Sequence, residues 1–256
     1  RPDWRVKMFQ SGSDTWKTYA AWPPAGATAT ALYLRADGSL SFDGPGEGCR
    51  AYTSDPANPV PFRQRPMSGT YLSPDWRSWE ADDQRFVDHR PDVLSYISAP
   101  LTSDLTVTGA LAATLMASTS ATDSDMVVKL IDVLPDDYQR YDVQAGKLGD
   151  YGRQLNGYQL PIAMEVRRGR FLASDTDPRP LVPGKVVAWD VPLRDHDHVF
   201  KAGHRIMVQV QSSWFPMIDR NPQSFVPNIA RAKPGDYVKA EQRVCAGSKV
   251  LLPVIR

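Results

Sequence analysis

Arg205-Ile206-Met207-Val208-Gln209-Val210-Gln211 alternates its side chains in period 2, with Ile206, Val208 and Val210 on one face and Met207, Gln209 and Gln211 on the other. β-Branched residues at every second position suit a pleated strand with one face against a core. Working outward, strand-like runs occur at Ala29–Arg35, Val93–Ser98, Leu105–Ala117, Met126–Leu134, Leu160–Val166, Lys185–Pro192, His204–Ser212 and Lys249–Ile255. In Met126–Val133 the polar residues Lys129 and Asp132 fall on opposite faces, so that strand is expected to be buried on most of both sides. The 22 prolines and 17 glycines are spread along the chain and punctuate these runs, as in an all-β sandwich. No run of a dozen residues carries a capped helical stripe.

The bulk numbers exclude several classes. At 256 residues the chain accommodates one large β-domain or two small ones. A hydrophobic fraction of 42% with 23% charged residues is that of an ordinary globular protein. The net charge of +1, with the two signs interspersed, points to neither a nucleic-acid surface nor an acidic tail. The longest apolar candidate, Leu105–Met116, is broken by Thr and Gly and falls short of the roughly 20 residues of a membrane helix. Arg1-Pro2-Asp3-Trp4 shows no Met and no leader, and reads as a cut upstream of a domain boundary; it assigns no compartment. Cys49 and Cys245 are compatible with one disulfide or with two buried thiols. Neither Cys-x-x-Cys nor His-x-x-x-His spacing completes a metal site around them, and no cofactor motif is present.

Chemistry-bearing residues are sparse. There is no Gly-x-Ser-x-Gly nucleophile elbow, although His89, His196, His198 and His204 supply bases on paper. His89 reads as a hydrogen-bonded loop residue. Asp123-Ser124-Asp125 offers two oxygens to a hard cation, but without a twelve-residue loop it reads as a solvated turn. Asp195-His196-Asp197-His198 reads as turn or edge decoration, because neighbours in a strand face opposite ways. Three polar excursions, Asp43–Pro66, Asp136–Asn156 and Ser213–Asp236, are long enough to carry contacts. Trp76 and Trp79 sit in a proline-marked loop, where they line a pocket or interface, or else cap the domain's own core. Trp214 with Phe215-Pro216 is expected to fold back over the sandwich, and Trp189 to lie in its core. Arg90 with Asp92, and Asp219-Arg220-Asn221, read as loop anchors.

Several stretches taken together carry a family resemblance. Trp4-Arg5-Val6-Lys7-Met8-Phe9-Gln10-Ser11-Gly12-Ser13-Asp14-Thr15-Trp16 is followed by Trp22-Pro23-Pro24, and later by Asp88-His89-Arg90-Pro91-Asp92. Gly203-His204-Arg205-Ile206, Trp214-Phe215-Pro216 and Asp219-Arg220-Asn221-Pro222 close the series. In this order they resemble the C-terminal domain of the cocaine-esterase-like serine hydrolases, a domain named after X-Pro dipeptidyl peptidases. Gly157-Tyr158-Gln159 and Arg168-Gly169-Arg170 tilt the likeness to α-amino acid ester hydrolases and glutaryl-7-aminocephalosporanic-acid acylase-like enzymes.

The resemblance implies a single jelly-roll β-sandwich over 1–256, of galactose-binding-domain-like shape with long loops. The catalytic α/β-hydrolase and cap domains, which carry the triad in that family, are absent from this chain, so no catalytic residue is assigned to it. The parent protein is expected to cleave small esters or amides of α-amino acids, including β-lactam acyl side chains, through an acyl-enzyme. Within it this domain is expected to wall the active-site cleft, with Trp76 and Trp79 as candidates, and to form homo-oligomer contacts. An isolated domain of this kind is expected to expose an apolar patch where its hydrolase domain sits. The alternative is a free-standing carbohydrate- or ligand-binding jelly-roll module, in which Trp76 or Trp189 would supply the platform for a sugar.

Overall fold

Period-2 alternation becomes two antiparallel sheets packed face to face. The structure, a computed structural model, describes residues 5–66, 79–138 and 155–255. Its strands are β1 (Val6–Gln10), β2 (Thr15–Tyr19), β3 (Thr28–Leu34), β4 (Leu40–Ser41), β5 (Cys49–Ser54) and β6 (Val93–Ile97). They continue as β7 (Leu105–Thr119), β8 (Asp125–Val133), β9 (Gln159–Arg168), β10 (Val187–Phe200), β11 (Arg205–Gln211) and β12 (Ala240–Ile255). Among the described residues, one short α-helix, α1 (Arg85–Asp88), precedes β6.

The larger sheet runs β10-β7-β12-β3-β4, with β5 also paired to β12; the smaller face of the sandwich runs β6-β11-β8-β9, and β1 and β2 form a separate two-stranded ribbon. The pairing is nested. β3 meets β12, β6 meets β11, β7 meets β10, and β8 meets β9. A long hairpin stack folded over in this way, so that successive pairs fall in alternate sheets, is the double Greek key of a jelly roll. The core lies between the sheets. Leu32, Leu111, Leu115 and Trp189 of the large sheet meet Val128, Leu130, Ile206, Val208 and Val210 of the small one. Burying each of these side chains contributes on the order of 2 kcal/mol. Trp189 is fully buried, in the core as expected and not a surface platform.

Where the strands differ from the sequence reading, the reasons are local. β10 does not stop at Pro192. It is an edge strand, where a missing N–H is tolerated, and a bulge between Pro192 and Arg194 lets the pairing resume as far as Phe200. Asp195-His196-Asp197-His198 is therefore strand rather than decoration, with Asp197 and His198 buried. β12 begins at Ala240, well before Lys249, because the irregularity between Cys245 and Lys249 accommodates Gly247 at φ 93° without ending the ladder. Within the presumed loop 43–66, Cys49–Ser54 is a strand that turns only Tyr52 and Ser54 fully inward. Its pairing places Cys49 directly opposite Cys245, and the two form a disulfide across a Cα–Cα distance of 3.9 Å.

Candidate functional site

The outer face of the small sheet holds the aromatic layer that contains Trp79. Residues Trp79–Ala81 form a single 3-10 turn. The Trp79 ring meets Phe62 at 5.9 Å, edge to face, and Trp214 at 6.3 Å. Val127, Met164, Val166 and Ile218 floor this layer. Trp214 is buried, and the segment after it folds back, with Phe62 N–H donating to the Phe215 carbonyl at 2.9 Å. Trp79 is thus held by the domain's own side chains, whereas Trp76 lies outside the described residues.

The same face carries a feature that sequence reading missed as a site. Lys129, on β8, is fully buried beneath this layer, and its ammonium donates to Gln84 Oε1 at 2.8 Å. Phe86 and Trp214 present their rings 6.0 and 5.9 Å from Nζ. Burial pushes the Lys129 amine down to about 7. Gln84 is tied in turn: its N–H donates to the Gln159 carbonyl at 3.0 Å and its Nε2 to the Asp82 carbonyl at 2.6 Å. Lys129 therefore straps the segment leading from Trp79 into α1 onto the sheet. Gln209 stands directly opposite Lys129, and Gln211 opposite Val127. Among the described residues, Gln209 Oε1, Gln211 Oε1 and Trp214 Nε1 are buried without a hydrogen-bond partner. Unpaired polar atoms thus lie buried beside an edge-to-face aromatic cluster, and the one signal for this layer in the sequence was a lysine inside an apolar strand.

The histidines and aspartates of β10 serve a second purpose. Asp197 Oδ1 accepts from Gln10 Nε2 at 2.8 Å and Thr108 Oγ1 at 2.9 Å, while Oδ2 accepts from the Tyr19 hydroxyl at 2.7 Å. Burial, then the bond to Asp197, pushes the Tyr19 hydroxyl up to about 12. Ser11 Oγ lies 2.8 Å from His198 Nδ1, and His198 Nε2 lies 3.2 Å from Asp132 Oδ2. Asp132 Oδ1 takes a second histidine, His204 Nδ1, at 2.9 Å. Burial alone would raise the Asp132 carboxyl, but its bonds to both histidines outweigh that and hold it below the usual range. The connectivity is that of a serine–histidine–aspartate relay, yet every member also belongs to the seam. Ser11 N–H donates to the Asp197 carbonyl at 3.0 Å, and the Ser11 carbonyl accepts from Val199 N–H at 2.9 Å. The cluster thus fastens the β1–β2 ribbon to the edge of the large sheet, and His204 closes the turn into β11.

Asp123 and Asp125 are not a solvated turn. Both are buried, Asp123 against Arg170 at 2.7 Å and Asp125 against Arg168 at 2.9 Å, with Asn221 donating to Asp125. The guanidinium groups occupy the oxygens a cation would need, and no three His, Cys, Asp or Glu side chains among the described residues converge on a metal position. The loop anchors are in place: Arg90 grips Asp92 at 2.7 Å, and Arg220 donates to the Pro56 carbonyl at 3.0 Å. His89 is instead 94% exposed, 4.0 Å from Asp88, rather than anchored in its loop.

The profile of the X-Pro dipeptidyl-peptidase C-terminal non-catalytic domain matches residues 2–249. The chain belongs to this family. Cocaine esterase from Rhodococcus sp. (strain MB1 Bresler) is 31% identical over 98% of the chain and 42% of its own length. Among solved structures, an α-amino acid ester hydrolase superposes with a TM-score of 0.88 at 44% identity, over 97% of this chain and 41% of that one. An aminopeptidase from a marine sediment Thaumarchaeota archaeon gives 0.90 at 43%, over 98% and 41%. The chain thus spans about two-fifths of the length of these relatives. It is similar to the part of them that the family describes as non-catalytic.

Proposed function

We propose that this chain is the β-domain of a serine hydrolase that cleaves esters or amides of α-amino acids through an acyl-enzyme, β-lactam acyl side chains being one candidate substrate class. In that protein it abuts an α/β-hydrolase domain, lends the aromatic layer around Trp79, with Trp76, to a wall of the substrate cleft, and provides homo-oligomer contacts. The observation that carries this reading is the level of likeness. Identity of 43–44% to an amino acid ester hydrolase and an aminopeptidase exceeds the 31% to cocaine esterase. Both of those enzymes act, by their names, on an α-amino acid unit. The missing nucleophile elbow supports a division of labour in which the chemistry belongs to another domain.

The test is a fluorophosphonate label applied to a lysate of the source cells, followed by a blot with an antibody raised against this chain. A labelled band well above 28.5 kDa is expected. An unlabelled band at 28.5 kDa contradicts the reading.

A further inference from the structure

We propose that the outer face of the β1–β2 ribbon is the surface on which the hydrolase domain of the same polypeptide docks, with Phe9 and Trp16 as its anchors and Lys7 at their rim. The proposal rests on the reading of this chain as the β-domain of a larger hydrolase.

Among the described residues, this face pairs two exposed aromatics with Lys7 and Thr18. Phe9 and Trp16 stand directly opposite each other in the ribbon, and their rings meet edge to face at 5.5 Å. They are 46% and 62% exposed. Lys7 Nζ lies 5.1 Å from the Trp16 ring. The exposed part of these two rings is apolar surface open to a partner, and large aromatics with a cationic neighbour are the residue types that dominate interface energetics.

The face is also rigid, although a two-stranded ribbon alone is marginal in water. Its inner side is bonded to Asp197 through Gln10 and Tyr19, and to His198 through Ser11. Just beyond the ribbon, Trp22 Nε1 donates to Asp195 Oδ1 at 2.8 Å. The tip is pressed down so closely that a Cβ at Gly12 (φ 79°) would lie 2.1 Å from the Val199 carbonyl oxygen. A buried polar seam of this size fixes an element whose outer side leaves both rings exposed among the described residues. Such pre-organisation lowers the ordering cost of binding.

Position supplies the occupant. β1 is the first strand among the described residues. The family's domain is C-terminal, and more than half the length of each similar enzyme lies outside the matched region. In those enzymes the polypeptide therefore reaches the β-domain at this ribbon, and the preceding domain is its nearest covalently tethered surface. The complementary surface is an apolar hollow with a carboxylate at its rim to meet Lys7.

The proposal is tested by hydroxyl-radical footprinting of the complete product of the source gene beside the 256-residue chain. Trp16 and Phe9 are expected to oxidise several-fold more slowly in the long polypeptide. Fluorophosphonate labelling of the same sample reports the hydrolase reading separately. A labelled long polypeptide in which Trp16 oxidises as fast as in the isolated chain overturns the docking proposal and leaves that reading standing. A gene product no longer than this chain, and unlabelled, overturns both. Protection in the isolated chain that grows with its concentration makes the occupant a second copy, and overturns the proposal as well.

Discussion

Lys129 shows how much a single side chain holds at the residue scale. A lysine of the unfolded chain titrates near pH 10.4, whereas burial brings this one to about 7. Between those values the unfolded chain keeps a proton that the folded chain lacks, so stability rises with pH from about 7 to about 10. Below pH 7 the full cost of a buried ammonium is present. Lys129→Met keeps an unbranched side chain one atom shorter and removes the charge. It is expected to raise stability at pH 6 by about 1–4 kcal/mol and to flatten the slope between pH 7 and 10, read by urea unfolding. A loss of stability at pH 6, or an unchanged slope, would mean that the strap to Gln84 outweighs the desolvation of the ammonium. The opposite faces of Lys129 and Asp132 were legible from period 2. Their partners were not, because Gln84 lies 45 residues before Lys129, and His198 66 residues after Asp132. Pairings at such separations are set by topology and leave no local trace.

Whole strands were legible wherever alternation was clean, as in β8 and β11, and lost where a special residue interrupts the pattern. Pro192 and Gly247 look like terminators in one dimension, yet an edge position and a bulge absorb them. β5 escaped notice because Cys-Arg-Ala-Tyr-Thr-Ser has no apolar period; it exists by pairing with the extended half of β12. The disulfide staples these two elements across a sequence separation of 196 residues. Because closing so long a loop restricts the unfolded chain strongly, the double variant Cys49→Ser/Cys245→Ser is expected to lose about 2–5 kcal/mol. Denaturant melts of the variant and of the wild type, with and without reductant, measure it. Coincident midpoints in all four samples would show that the staple adds nothing beyond the pairing of β5 with β12.

For the molecule as a whole, nested pairing brings the first ribbon, the edge of β10 and the turn into β11 together around Asp197 and Asp132. The all-β class and the family were readable from the order of short motifs. The seam was not, since Ser11, Asp132 and His198 come from three distant parts of the chain, and the stretches that contain Ser11 and His198 show no sign of their pairing. That seam contains the connectivity of a catalytic relay inside a domain of a family described as non-catalytic. Both main-chain groups of Ser11 are committed to β10, and its hydroxyl bonds the same strand at Asp197 and His198. The purified 256-residue chain should therefore be incubated with a fluorophosphonate and its intact mass measured. The expected result is an unmodified chain. An adduct on Ser11, lost in Ser11→Ala, would contradict the account and make this domain a hydrolase in its own right.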